Sequence, residues 1–155
     1  LAPGTFKCYS KDNNSGVQIA ADLGNKTVQF AQPTPEVIKK VQSLPALEVE
    51  PDFFICGVEA ISNFMLADNK ELSGVTPFHS AQIEQFVSYS GYSVKSLVTK
   101  IESGIYEKGS VDAQAVKELK EVCKKLNDAL EGEWFVKGGM THADLALFLA
   151  LVPAF

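Results

Sequence analysis

Few side chains in this sequence can do chemistry, and they are scattered. Cys8, Cys56 and Cys123 form an odd set with none of the close pairing that a metal site or a redox motif uses. They read as reduced thiols of a cytoplasmic protein. His79 and His142 lie far apart, each near a helix-start signal, and neither has a companion at ligand spacing, so no metal is expected. There is no glycine-rich phosphate loop and no paired-carboxylate motif, and no cofactor is expected. Asp144 invites a catalytic reading. Three residues after Thr141, however, an acid bonds the backbone N–H groups that open a helix, so Thr141 and Asp144 are expected to be a structural cap. Ser15 reads the same way, as a cap. No catalytic residue is assigned.

Charge and composition narrow the function classes. The 155 residues are 46% hydrophobic and 21% charged, ample for a packed core, with a net charge of −5. All fourteen basic residues are Lys. Without the guanidinium fork, and with the lysines dispersed, direct nucleic-acid binding is not expected. No apolar run reaches the roughly 18 residues of a membrane span.

The elements that must position these residues fall into two groups. Over residues 1–70, strand and helix signals alternate. Thr5–Tyr9 is β-prone, 17–23 is helical with a stop at Gly24-Asn25, and 27–30 is a strand. Thr34 can cap a short helix opened by Pro35. Two strands, 44–49 and 53–56, flank the Glu50-Pro51-Asp52 turn, and 58–66 is helical. This order argues a small mixed-sheet domain. From residue 75 to 155 the pattern is purely helical. Ile83, Phe86, Val87, Ser90, Val94, Leu97, Val98 and Ile101 trace one helical face, ended by Gly104 and Gly109. A second helix spans about 112–130, and a strand-like Glu133–Val136 precedes a third helix at Thr141. That last helix is apolar on every side and belongs in the middle of a layer.

Several motifs carry a family resemblance. The segment Glu133–Asp144, with Thr141-His142-Ala143-Asp144 at a helix start, resembles the "FLVG, then T-x-A-D" segment of the glutathione-transferase fold. Leu44-Pro45-Ala46-Leu47 resembles that family's "VPxL" turn with its cis-proline, and Ala60-Ile61 fits "ESxAI". Asn69–Pro77 followed by Ala81–Phe86 is most similar to the amino-terminal domain of translation elongation factor 1B gamma. Related domains occur on aminoacyl-tRNA synthetases and synthetase-complex scaffolds. The resemblance implies a thioredoxin-like subdomain (1–70) followed by a helical subdomain (75–155), truncated after Phe155. It also implies a catalytic Tyr, Ser or Cys just after the first strand, where Cys8, Tyr9, Ser10 and Ser15 stand. At the family's glutathione-holding Glu-Ser this chain has Gly57 and Val58, with Glu59 adjacent and expected to point elsewhere. The glutathione site therefore reads as dismantled.

An interaction role is the resulting expectation. Phe78, Gln82, Gln85, Tyr89 and Tyr92 keep one face beside the core stripe, an aromatic and glutamine line of the kind interfaces use. The resemblance adds Asn63, Phe64 and Ala67 on the preceding helix. The chain is accordingly expected to be a non-catalytic module that assembles translation complexes. Its partner would be another domain of this fold, in a homo- or heterodimer. An active cytosolic glutathione transferase with an atypical site is the alternative. The apolar last helix, if left uncovered, is expected to drive self-association.

Overall fold

Residues 5–9 alternate their side chains across a pleat, which sends Cys8 to one face and Lys7 and Tyr9 to the other. In the computed structural model, which describes residues 4–130 and 132–154, this segment is β1 (Thr5–Tyr9), an inner strand of a four-stranded sheet. The chain forms two units, Leu1–Lys70 and Glu71–Phe155.

In the first unit the strand order is β2-β1-β3-β4. β1 runs parallel to β2 (Thr27–Ala31) and antiparallel to β3 (Ala46–Glu50), which pairs antiparallel with β4 (Phe53–Cys56). The parallel step requires a crossover, supplied by α1 (Ser15–Leu23). α2 (Pro35–Lys40) starts at Thr34, whose hydroxyl accepts from the Val37 N–H at 3.3 Å. α3 (Val58–Leu66) packs on α1, and the approach is close. A Cβ at Gly24 would collide with the carbonyl of Met65. Val17, Ala20, Ala21, Leu47, Ile61, Met65 and Leu66 are fully buried there, and the Phe6 and Phe64 rings meet edge to face at 5.2 Å. The Leu44–Pro45 peptide is cis and leads into β3.

The single turn α4 (Lys70–Ser73) falls at the boundary of the units. In the second unit, Thr76 caps α5 (Pro77–Tyr89) through the His79 N–H at 3.1 Å. The helix continues as a π segment (Ser90–Lys95) into α6 (Ser96–Lys108). Gly104 does not end it. This glycine is buried inside α6, where a Cβ would press on the Ser110 carbonyl, and the chain turns at Gly109 with φ +62°. α7 (Ala113–Asp128) is capped by Asp112, and α8 (His142–Leu151) follows. Glu133–Val136 is not a strand. It holds only an isolated bridge at Trp134, because no neighbouring strand exists among the described residues of this unit to extend a ladder. Ala143, Leu145, Leu147 and Ala150 of α8 are buried; Leu147 and Ala150 cluster with Val94, Val98 and Leu126, and Ala143 with Ile83, Val87 and Val136. Phe148 and Val152 stay 58% and 47% exposed.

Candidate functional site

The end of β1 opens into a polar concavity of the first unit. Leaving the sheet, the chain makes one further backbone bond, Ser10 N–H to the Ala31 carbonyl at 3.0 Å, and then loops through Lys11–Asn13 before α1 begins. Gln32 holds this loop by donating from Nε2 to the Lys11 carbonyl at 2.9 Å. Asn14 closes it, its Oδ1 accepting from the Val17 N–H at 3.0 Å. Between this loop and the Leu44–Pro45 turn lies a pocket of about 520 Å³, lined by Ser10, Lys11, Asp12, Asn13, Asn14, Leu44 and Pro45. The start of α3 is tied to the same turn, since Gly57 N–H donates to the Pro45 carbonyl at 2.9 Å.

The four groups that the family resemblance set beside this site differ sharply in what they can still do. Cys8 is fully buried, and burial pushes its thiol up to about 11, so it stays protonated and inert. Tyr9 is committed to the fold. Its hydroxyl donates to Glu48 Oε2 at 3.2 Å, its ring meets Phe54, and the Lys7 ammonium sits 4.8 Å from the ring centroid. Ser15 is exposed at the first position of α1, but the cap is Asn14, which sequence reasoning passed over although Asn is as good an N-cap as Ser. Ser10 is half-buried, lines the pocket, and its hydroxyl makes no hydrogen bond among the described residues.

At the α3 start, Gly57 adopts φ +90° and provides no side-chain cap. Glu59 does not point elsewhere. Its Oε2 lies 3.9 Å from where a Gly57 Cβ would stand. A long, flexible acid in the first turn can fold back over the helix start, an option that helical spacing alone does not reveal.

The second unit shows a helix start of another kind. Asp144 accepts from the Thr141 N–H at 2.8 Å, from the Thr141 hydroxyl at 3.1 Å and from the Phe135 N–H at 3.1 Å. Thr141 is buried. Of the outward stripe, Phe78 and Tyr92 are 72% and 85% exposed and Gln85 is exposed, whereas Gln82 and Tyr89 are half-buried. Tyr89 packs on the cluster of Val94, Val98 and Leu147. Asn63 and Phe64 lie on α3 and Ala67 caps its end, with Phe64 turned onto Phe6 and Ala67 exposed. Among the described residues no group of three or more His, Cys, Asp or Glu could hold a metal, and no helix is long and apolar enough to cross a membrane.

A thioredoxin-like sheet unit followed by a helical unit is the glutathione-transferase fold, and the comparison with solved structures gives that class. A glutathione transferase from Bombyx mori superposes with a TM-score of 0.85 at 18% identity, over 95% of this chain and 76% of that one. A delta-class glutathione transferase from Nilaparvata lugens, in a structure characterising its catalytic site, gives 0.81 at 19% identity over 94% and 76%. Glutathione transferase F2 from Populus trichocarpa gives 0.78 at 18% over 96% and 81%. No protein-family profile and no curated protein matches the sequence.

These likenesses correct two expectations, that the chain is a non-catalytic translation-assembly module and that it is not an enzyme. The matching structures are glutathione transferases of several kinds, and none of them is a translation factor or synthetase domain. The physical reason is twofold. The Leu44-Pro45 turn and the Thr141–Asp144 start shape the fold itself, and the translation branch rested only on Asn69–Pro77 and Ala81–Phe86, a boundary turn and the partly exposed first turns of a helix that the fold leaves free to vary. The site read as dismantled keeps an open pocket lined by Ser10, whose hydroxyl makes no hydrogen bond among the described residues.

Proposed function

We propose that this protein is a glutathione transferase, joining the thiol of glutathione to a small electrophile, with a binding site that departs from the usual pattern at Gly57-Val58. The carrying observation is the pocket between the Ser10–Asn14 loop and the cis Leu44–Pro45 turn. Ser10 is positioned to donate its hydroxyl to a thiolate sulfur there. The amino end of the nine-residue α1 adds a partial positive charge that favours the same anion. Three thiols with no disulfide fit action in a reducing, cytoplasmic setting. For association we propose a second copy of the chain, meeting the outward residues Phe78, Gln85 and Tyr92. The residues set by sequence beside them, Gln82 and Tyr89, are shared with the chain's own packing.

The test is titration of the chain with glutathione by calorimetry, together with conjugation of a chlorodinitrobenzene electrophile followed by absorbance. Saturable binding with turnover above the uncatalysed rate is the expected result. A properly folded chain that shows neither overturns the proposal.

A further inference from the structure

The pocket contains two charged residues, and both come from the loop after Ser10. Lys11 and Asp12 line it with Ser10, Asn13, Asn14, Leu44 and Pro45, so the other five lining residues are uncharged. The fold does not consume either charge. Neither side chain forms an ion pair or hydrogen bond among the described residues, although Lys26, Lys40 and Lys100 each hold an aspartate. The loop that carries them is nevertheless fixed at both ends, by Gln32 on the Lys11 carbonyl and by Asn14 on α1. A flexible four-carbon stem on a fixed backbone can bring its ammonium to an anion that occupies the pocket beside the Ser10 hydroxyl.

Building on the transferase reading, we infer that Lys11 is the group that holds the bound thiol in its thiolate form, with Asp12 opposing it. Glutathione's sulfur must lose its proton to attack an electrophile, and the thiolate is the nucleophile. An opposite charge within about 4–6 Å lowers an acid's titration point by about 1–3 units, the lower end applying where water enters. This pocket is open, so about one unit is expected from Lys11. One neutral hydroxyl from Ser10 donates a hydrogen bond but adds no net charge. Asp12 faces the same space and raises the titration point, so the thiol responds to the balance of the two residues. No other titratable residue among those described lines the pocket.

The experiment follows the ultraviolet absorbance of the glutathione thiolate bound to the full chain as a function of pH. The chain is compared with Lys11→Gln, Lys11→Arg and Asp12→Asn, with circular dichroism confirming that each folds. Lys11→Gln should raise the bound thiol's titration point by about one unit, which is about a tenfold loss of thiolate on the acid side of the transition. Lys11→Arg should restore most of it, and Asp12→Asn should shift it downward. A Lys11→Gln chain that binds glutathione with an unchanged thiol titration overturns the assignment. If the wild-type chain binds no glutathione, the transferase reading falls, and this inference falls with it.

Discussion

Two helix starts in this molecule are each preceded by a polar cap residue and do opposite work. At α8, Thr141 and Asp144 turn every polar group inward, and the Asp144 carboxylate is spent on two backbone N–H groups and one hydroxyl. At α1, Asn14 uses one oxygen on the Val17 N–H, while Ser10, Lys11, Asp12 and Asn13 are left facing open space. The lesson concerns availability. An acid consumed by the fold stabilises it and can do nothing else, whereas a hydroxyl or ammonium that the fold ignores is free for a ligand. The α3 start lies between these cases, a bare Gly57 shadowed by Glu59.

The comparison breaks most visibly at Ser10. Ser10→Ala should lower kcat/KM for glutathione conjugation about 100-fold, or about 2.7 kcal/mol of transition-state stabilisation, with an unchanged melting temperature. A variant that unfolds, or that turns over normally, would place Ser10 on the structural side. Next in size is Asp144→Ala, which should cost about 2 kcal/mol of stability, because three hydrogen bonds to a carboxylate are lost at a packed helix start. At this chain length that lowers the melting temperature by about 4–8 °C by calorimetry. Activity per folded molecule should be unaffected. A well-folded Asp144→Ala chain that has lost turnover would reverse the assignment.

Asn14→Ala sharpens the contrast by sitting on both sides. It removes the α1 cap, for about 1 kcal/mol in a denaturant titration, and it loosens one end of the pocket, so KM for glutathione should rise as well. Stability loss with an unchanged KM would separate the cap from the site.

The smallest effect concerns Asp112, the cap of α7. The Ala115 N–H, and then Lys100 at 3.3 Å, hold its carboxyl below the ordinary 3.8. Its folded value being depressed, its contribution is complete above the unfolded value and is lost as pH falls through the folded one. Asp112→Asn keeps a capping oxygen but removes the charge. It should therefore flatten the melting temperature's dependence on pH below about 3.8. An identical acid limb in both chains would show that the charge contributes nothing.

Most helix and strand positions were legible because their causes are local. Thr34, Thr76 and Thr141 sit at helix starts, and period-two alternation with turn residues marks 5–9 and 53–56. The misreadings have physical causes too. Gly104 looked like a breaker, yet a glycine also serves where a neighbouring carbonyl comes too close for a Cβ. The π segment at 90–95 leaves no local signature, because it adjusts the helix's phase to the packing of Ser90 and Val94. Glu133–Val136 has strand composition but no partner strand among the described residues.

The candidate site divides the same way. By itself the sequence determined the local elements, and its family resemblance added the fold class and the four groups after the first strand, without assigning any of them a catalytic role. Only the tertiary structure decided which group remains available. Tyr9 is taken by Glu48, 39 residues away, and Cys8 is silenced by burial beneath the sheet. Glu59 folds back toward Gly57, and Lys11 is left without a partner among the described residues. Reactivity depends on what surrounds a group in space. Those neighbours come from chain segments whose meeting no local pattern encodes.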